Sequence, residues 1–330
     1  MSIQIQIILL SFTTLYQALA NWYDHRQSPP GQFIDLGGYC LHLYGKGEAK
    51  PGLPTIILDH SLGGVEGYLL MEELSQFTRV YSYDRAGYGY SDPSPNPRTS
   101  VHLVHEFDRL LSLAQIEPPY LLIGDSFGSY NMRLYAHVFP EKVVGLVLTD
   151  GLHETGMLSM PWSLRLLQGF FLSGFLMSTL GSGLGLVRLV KSLGGFELLK
   201  PELGKFPRQD LRWVKRSFCL PLHWLTMARE IWNLDRSGRQ LAQIGDLGDL
   251  PIVNIKAKDF LKPTPWNFYM PLRAANQLRD HMHEQLMTLS SRCTQLQADA
   301  SDHFIWIDQP DLMVRGVALI LQMIAVGETN

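Results

Sequence analysis

Along the chain, short continuous apolar runs alternate with stretches whose apolar positions recur at helical spacing. Thr55-Ile56-Ile57-Leu58, Val80-Tyr81-Ser82-Tyr83, Tyr120-Leu121-Leu122-Ile123 and Val143-Val144-Gly145-Leu146-Val147-Leu148 are of strand length and end in loops. Runs of this kind fit strands of a parallel sheet covered on both faces. Between them the spacing predicts helices at about 65–76, 101–114 and 127–138, the last closing before Phe139-Pro140. Residues 32–43 alternate around Gly37-Gly38 and predict an antiparallel hairpin that opens the sheet. Strand and helix in alternation predict a doubly wound α/β layer, with ligands at the carboxyl ends of its strands.

The alternation stops between residues 151 and 250, a segment rich in Leu, Phe, Trp and Met at helical spacing. It predicts a helical cap inserted after the sixth strand, which would roof the site, exclude water and line an apolar pocket. Residues 166–187 run for 22 positions without a charge, long enough to cross a bilayer. A crossing there would put the strand ending at Leu148 and the strand starting at Pro251 on opposite sides of the membrane, although both belong to one sheet.

The N-terminus is apolar too. No charged side chain occurs before Asp24, and residues 3–20 are mostly hydrophobic around Ile7-Ile8-Leu9-Leu10. The segment 1–23 is read as an uncleaved, single-pass membrane anchor, with two alternatives. Ala18-Leu19-Ala20 has the form of a signal-peptide cleavage site, which would release a secreted or periplasmic protein, but no basic n-region precedes it. The third reading is a soluble helix. The predicted organisation is thus 1–23, a core made of 32–150 and 251–330, and a cap at 151–250.

Composition changes this picture little. At 46% hydrophobic residues a large core is available, and a net charge of −3 without a basic run gives no reason to expect a nucleic-acid partner. Cys40, Cys219 and Cys293 are isolated, so neither a disulfide framework nor a zinc ribbon is indicated, and they are read as buried small hydrophobes. His281 and His283 invite a metal reading, yet residues two apart on a helix point to different faces. No metal or cofactor is expected.

Candidate chemistry gathers in four loops. Gly124-Asp125-Ser126-Phe127-Gly128 lies between a predicted strand and a predicted helix, the setting of a nucleophile elbow. The serine of such an elbow occupies a strained turn with no room for side chains two residues away, so Ser126 is the candidate nucleophile. Upstream, Asp59-His60-Ser61-Leu62-Gly63-Gly64 is the loop placed to supply an oxyanion-hole amide, and Asp84-Arg85-Ala86-Gly87-Tyr88-Gly89-Tyr90-Ser91 follows the next strand. Ala300-Ser301-Asp302-His303-Phe304 comes after the last predicted strand, which makes His303 the candidate general base.

These loops, in this order, resemble the landmarks of α/β-hydrolase-fold proteins over roughly residues 32–325. Pro29 to Leu43 is similar to the entry segment of bacterial proline-iminopeptidase-like and esterase-like hydrolases. Ser61, Asp125 and Ser129 depart from that pattern, which has glycine, histidine and glycine there. The resemblance implies a mostly parallel sheet flanked by helices and a Ser-His-acid triad. It places the acid at Asp259, after the seventh strand. Asp150, after the sixth, is the competitor because some relatives carry the acid there, and Asp302 is a third candidate.

The mechanism expected on these grounds is acyl transfer. Ser126 would attack a carbonyl after losing its proton to His303, and the amides of Leu62 and Phe127 would hold the oxyanion. Water would then release the acyl-enzyme. The expected function is a serine esterase or lipase-like enzyme for a small, apolar acyl substrate. The alternatives are an aminopeptidase or amidase, a carbon–carbon bond hydrolase, and a non-catalytic sensor or scaffold. The sequence leaves the physiological substrate and the oligomeric state open.

Overall fold

A computed structural model describes residues 3–264 and 267–327. The two N-terminal residues of the predicted anchor, and residues 265–266 and 328–330 of the predicted core, lie outside the described residues. In chain order the elements begin with α1 (Ile3–His25), β1 (Gln32–Asp35), β2 (Cys40–Lys46), β3 (Thr55–Asp59), α2 (Met71–Leu74), β4 (Val80–Tyr83) and α3 (Ser100–Leu113). There follow β5 (Tyr120–Asp125), α4 (Phe127–Val138), β6 (Val143–Thr149) and a run of helices: α5 (Glu154–Leu158), α6 (Trp162–Gly183), α7 (Leu186–Ser192), α8 (Gly195–Leu199), α9 (Arg208–Phe218), α10 (Pro221–Trp232) and α11 (Leu234–Leu241). The chain returns to the sheet with β7 (Ile252–Ala257), α12 (Leu272–Leu286), β8 (Cys293–Ala298), α13 (Ile305–Asp308) and α14 (Pro310–Gly327).

The strands form one eight-stranded sheet in the order β1-β2-β4-β3-β5-β6-β7-β8. The β1–β2 hairpin and its junction with β4 are antiparallel, and every other pairing is parallel. The continuous apolar runs arise because neighbouring residues serve opposite layers. Ile57, Leu122 and Leu146 pack with α3 and α4, whereas Ile56, Leu121, Ile123 and Val147 pack with Met313, Val317 and Ile320 of α14. Each fully buried Leu, Ile or Val stabilises this arrangement by roughly 1.5–3 kcal/mol relative to exposure.

The helix expected at 65–76 is split into a 3₁₀ turn at Glu66–Leu69 and α2. The Gly67 amide is drawn off to His60 Nδ1 at 3.3 Å, and a side chain on Gly67 would collide with Ser82 and His60. The cysteines also differ from expectation: all three are free, and only Cys219 is buried, with Cys40 and Cys293 half-buried.

Helices α5 to α11 contain no strand and return the chain to β7, which is hydrogen-bonded to β6 from Leu146–Ile252 onward. A single crossing by α6 would separate these paired neighbours. Among the described residues α6 is nonetheless the one helix long and apolar enough to cross a membrane. It buries Leu164 and Leu167 while exposing Trp162, Leu166, Phe170, Met177 and Leu180.

The N-terminal helix is not an independent element. Gln17 is buried, with its amide donating to the Cys219 carbonyl at 2.8 Å. Arg188 of α7 reaches Gln17, Asn21 and Asp24 at 2.7, 2.6 and 2.8 Å. Gly185, at φ +79°, lets the backbones meet, since a side chain there would lie 2.1 Å from the Thr13 carbonyl. Before Thr13 the helix stands free, with Ile5, Ile7, Ile8, Leu9, Leu10 and Phe12 exposed. Its polar residues Gln4, Gln6, Ser11, Thr13, Thr14 and Gln17 keep it from matching α6 as a spanning segment.

Candidate active site

The elbow forms where β5 runs into α4. Ser126 adopts φ 49° and ψ −110°, a strained conformation for a residue with a side chain. The flanking glycines are compulsory: a Cβ on Gly124 would lie 2.8 Å from the Gly128 carbonyl, and one on Gly128 would lie 2.5 Å from the Asp59 carbonyl. The Ser126 amide donates to the Thr149 carbonyl at 2.8 Å, fastening the elbow to the end of β6. Ser129, where the resembling proteins have glycine, adds a second tie. Its hydroxyl donates to the Ser126 carbonyl at 2.6 Å and accepts the Leu152 amide at 2.9 Å.

His303 follows β8 and faces the same cavity as Ser126. Its Nδ1 stands 2.6 Å from Oδ2 of Asp150, the residue immediately after β6. With Nδ1 engaged, Nε2 is the nitrogen left for the cavity. Asp259, the acid expected from the resemblance, is not at this imidazole; its carboxylate accepts the Asn276 amide at 3.0 Å. The loop does approach His303, but through the Phe260 carbonyl, which accepts the His303 amide at 3.2 Å. Asp302 is also turned away, paired with Lys200 of the cap at 3.0 Å.

Asp150 is fully buried and surrounded by donors. Oδ1 accepts the Ala257 amide at 3.0 Å and faces His283 Nε2 at 3.1 Å, while Arg279 Nη1 lies 3.6 Å from Oδ2. Burial alone would raise its pKa, but the hydrogen bonds from His283 and His303 and the nearby charges of His303 and Arg279 prevail. They hold the carboxyl far below the ordinary range. Neither Arg279 nor His283 stood out in the sequence as an acid's neighbour. The legible signal is their spacing, i and i+4 on α12, which puts both on one helix face. His281, two residues before His283, is exposed, whereas His283 is buried.

The loop after β3 is organised by Arg85. Its guanidinium donates to the His60 and Ser61 carbonyls at 2.7 Å each, to Asp59 at 2.9 Å, and to both oxygens of Glu230 on α10 at 3.1 and 3.0 Å. Tyr88 closes on Glu230 at 2.7 Å, and Asn131 on Asp59 at 2.7 Å. The loop that carries Leu62 is therefore clamped between the sheet and the cap. Leu62 and Phe127 both border the cavity, and the Phe127 amide opens α4 at the positive end of its dipole.

That cavity measures about 200 Å³. Leu164, Leu167 and Phe171 of α6 roof it, and Leu278 and Met282 of α12 close one side. Asp150 is the only carboxylate among its described lining residues.

Residues 51–179 match the family described as alpha/beta hydrolase fold. Of known structures, a laboratory-evolved variant of potato epoxide hydrolase superposes with a TM-score of 0.67 at 15% identity, covering 88% of this chain and 98% of that one. The enol-lactonase from Burkholderia xenovorans LB400 superposes with a TM-score of 0.57 at 16% identity, covering 88% and 100%. The chain has the α/β-hydrolase fold. A curated relative, a probable transporter named efuK from Hormonema carpetanum, is 35% identical over 135 residues, 39% of this chain and 19% of that protein. The matched stretches cover only 19% to 39% of the first curated relatives' own lengths.

Proposed function

We propose that this α/β-hydrolase-fold protein is a serine hydrolase that cleaves small acyl esters through Ser126, His303 and Asp150. The observation that carries the reading is the 2.6 Å contact between His303 and buried Asp150, with His303 and the strained Ser126 bordering one cavity. In this mechanism His303 Nε2 takes the Ser126 proton as the hydroxyl attacks the acyl carbon. Asp150 holds the imidazole in the tautomer with its proton on Nδ1 and stabilises the imidazolium that forms. The Leu62 and Phe127 amides receive the oxyanion, each worth on the order of 3–4 kcal/mol in the transition state. His303 then protonates the leaving alcohol and activates the water that frees the acid.

The apolar lining favours an acyl chain, and a cavity of about 200 Å³ is small beside the 300–1,000 Å³ usual for ligand sites. Short and medium chains fit this reading better than palmitate. An aminopeptidase needs a carboxylate for the free amine. The cap acids Glu154, Glu197, Glu230 and Asp235 are each paired with an arginine or lysine, and none of them lines the cavity. A panel of p-nitrophenyl esters from acetate to palmitate, run beside aminoacyl anilides, tests this. Rates peaking at short to medium acyl chains support the ester reading; preferential cleavage of the anilides contradicts it.

We further propose that α1 holds the protein at a bilayer. Its free portion, residues 4–12, is about 14 Å long at 1.5 Å per residue, roughly half of a 30 Å hydrocarbon core. That length suits one leaflet, with Trp22 and Tyr23 exposed farther along the helix as interfacial aromatics. Ile8→Asp with Phe12→Asp should release the protein from membranes and leave short-ester turnover unchanged. Retention of the double variant in the membrane fraction would refute the assignment.

A further inference from the structure

We propose that His283 is a positioning residue of this site: it holds Oδ1 of Asp150 so that Oδ2 stays on His303. The inference rests on the triad reading above and adds to it a second imidazole on the same carboxylate. His283 is buried on α12, with Nε2 3.1 Å from Asp150 Oδ1 and Nδ1 3.0 Å from the side-chain amide of Asn254 on β7. The Asn254 amide is itself backed by Gln295 of β8 at 3.1 Å. The chain from Gln295 to Asp150 therefore runs through two neighbouring strands and one helix, and it ends on the carboxylate oxygen that His303 does not use.

A carboxylate can act as a hydrogen bonder only in an orientation that its surroundings impose. At Asp150 the second oxygen has two donors, the Ala257 amide and His283. A neutral imidazole facing a carboxylate presents its N–H there, and burial lowers the His283 pKa, favouring the neutral ring, although Asp150 works in the other direction. The other charges facing this pair are Arg279 on α12, Lys256 on β7, and His303 when it is protonated; Lys256 is itself paired with Asp280 at 2.7 Å. Taking away the His283 donor leaves the Asp150 charge less shared. The carboxylate then attracts the protonated form of the general base more strongly, and the acid limb of the pH profile moves to higher pH. Looser orientation lowers turnover at the same time.

The test compares H283F, which keeps a ring but has no N–H, with H283Q, whose amide can donate. With p-nitrophenyl butyrate between about pH 5 and pH 9, H283F should lose roughly 10-fold or more in kcat with KM nearly unchanged. Its acid limb should rise by about half a pH unit, and H283Q should recover both. Where H283F does not fold, H283N replaces it, because its amide is too short to reach Asp150. The His303 Nδ1 proton, followed by NMR, gives a readout without turnover: it should shift in H283F and return in H283Q. An unmoved acid limb and proton in H283F overturn the proposal, as does an H283Q variant no better than H283F when both melt like the wild type. Absence of hydrolysis by the wild type itself would count against the esterase reading, and the NMR comparison would still decide the role of His283.

Discussion

Asp150 combines a backbone at φ +40° with complete burial and four surrounding donors, a costly arrangement that the rest of the fold must sustain. Ser126 is strained in the same way, and Gly128 shows how little space its turn has. Gly128→Ala would press a methyl group against the Asp59 and His60 carbonyls, and it should abolish fluorophosphonate labelling of Ser126 or prevent folding, as circular dichroism and labelling together would show. Ser126→Ala and His303→Ala should each remove nearly all hydrolysis, and the double variant should be hardly worse than either single one, because the two groups act as a unit. The nucleophile and base were legible in the sequence since each sits in a local pattern of turn residues between a strand and a helix. The acid was not. Asp150 and Asp259 both follow a strand at its carboxyl end, and the choice between them depends on which carboxylate turns toward His303, a tertiary fact set by Asn276, Ala257 and His283.

At the scale of elements, the strands and most helices could be read from period and length, because layers on both faces of the sheet impose continuous apolar runs. The cap was legible only as a helical segment. The uncharged stretch at 166–187 is divided by Gly185, whose left-handed turn exists to admit α1, a contact between segments far apart in sequence. The cap also carries a pH liability. Burial lowers His223 on α10 to about 3 and His153, before α5, to about 4. The unfolded chain takes protons at these positions that the folded one refuses. Their contribution to stability is intact above about pH 6.5 and falls as the pH drops below that toward 4 and 3, by about 1.4 kcal/mol per unit for each group. Urea unfolding across this range should show the loss, and His223→Asn should reduce its slope by one proton. A stability that stays flat from pH 6.5 to pH 4 would contradict the burial argument.

For the whole molecule, Arg85 joins sheet, oxyanion loop and cap in one buried charge network, so cap and core should unfold together. Glu230→Gln leaves the guanidinium without its cap counter-charge and should cost about 3–5 kcal/mol in chemical denaturation. A variant within experimental error of wild type would mean that the cap is held by its apolar contacts alone. The fold and its layers were visible in the sequence; this clamp was not, since Arg85 and Glu230 are far apart along the chain and neither carries a local signal. The central claim, that Asp150 is the acid of a catalytic triad, is tested most directly by measuring turnover of p-nitrophenyl butyrate by Asp150→Asn and Asp259→Asn side by side. The structure predicts a loss of about 10⁴-fold for Asp150→Asn, with the fold intact, and near-wild-type turnover for Asp259→Asn. The reverse pattern, or full activity in Asp150→Asn, would contradict it.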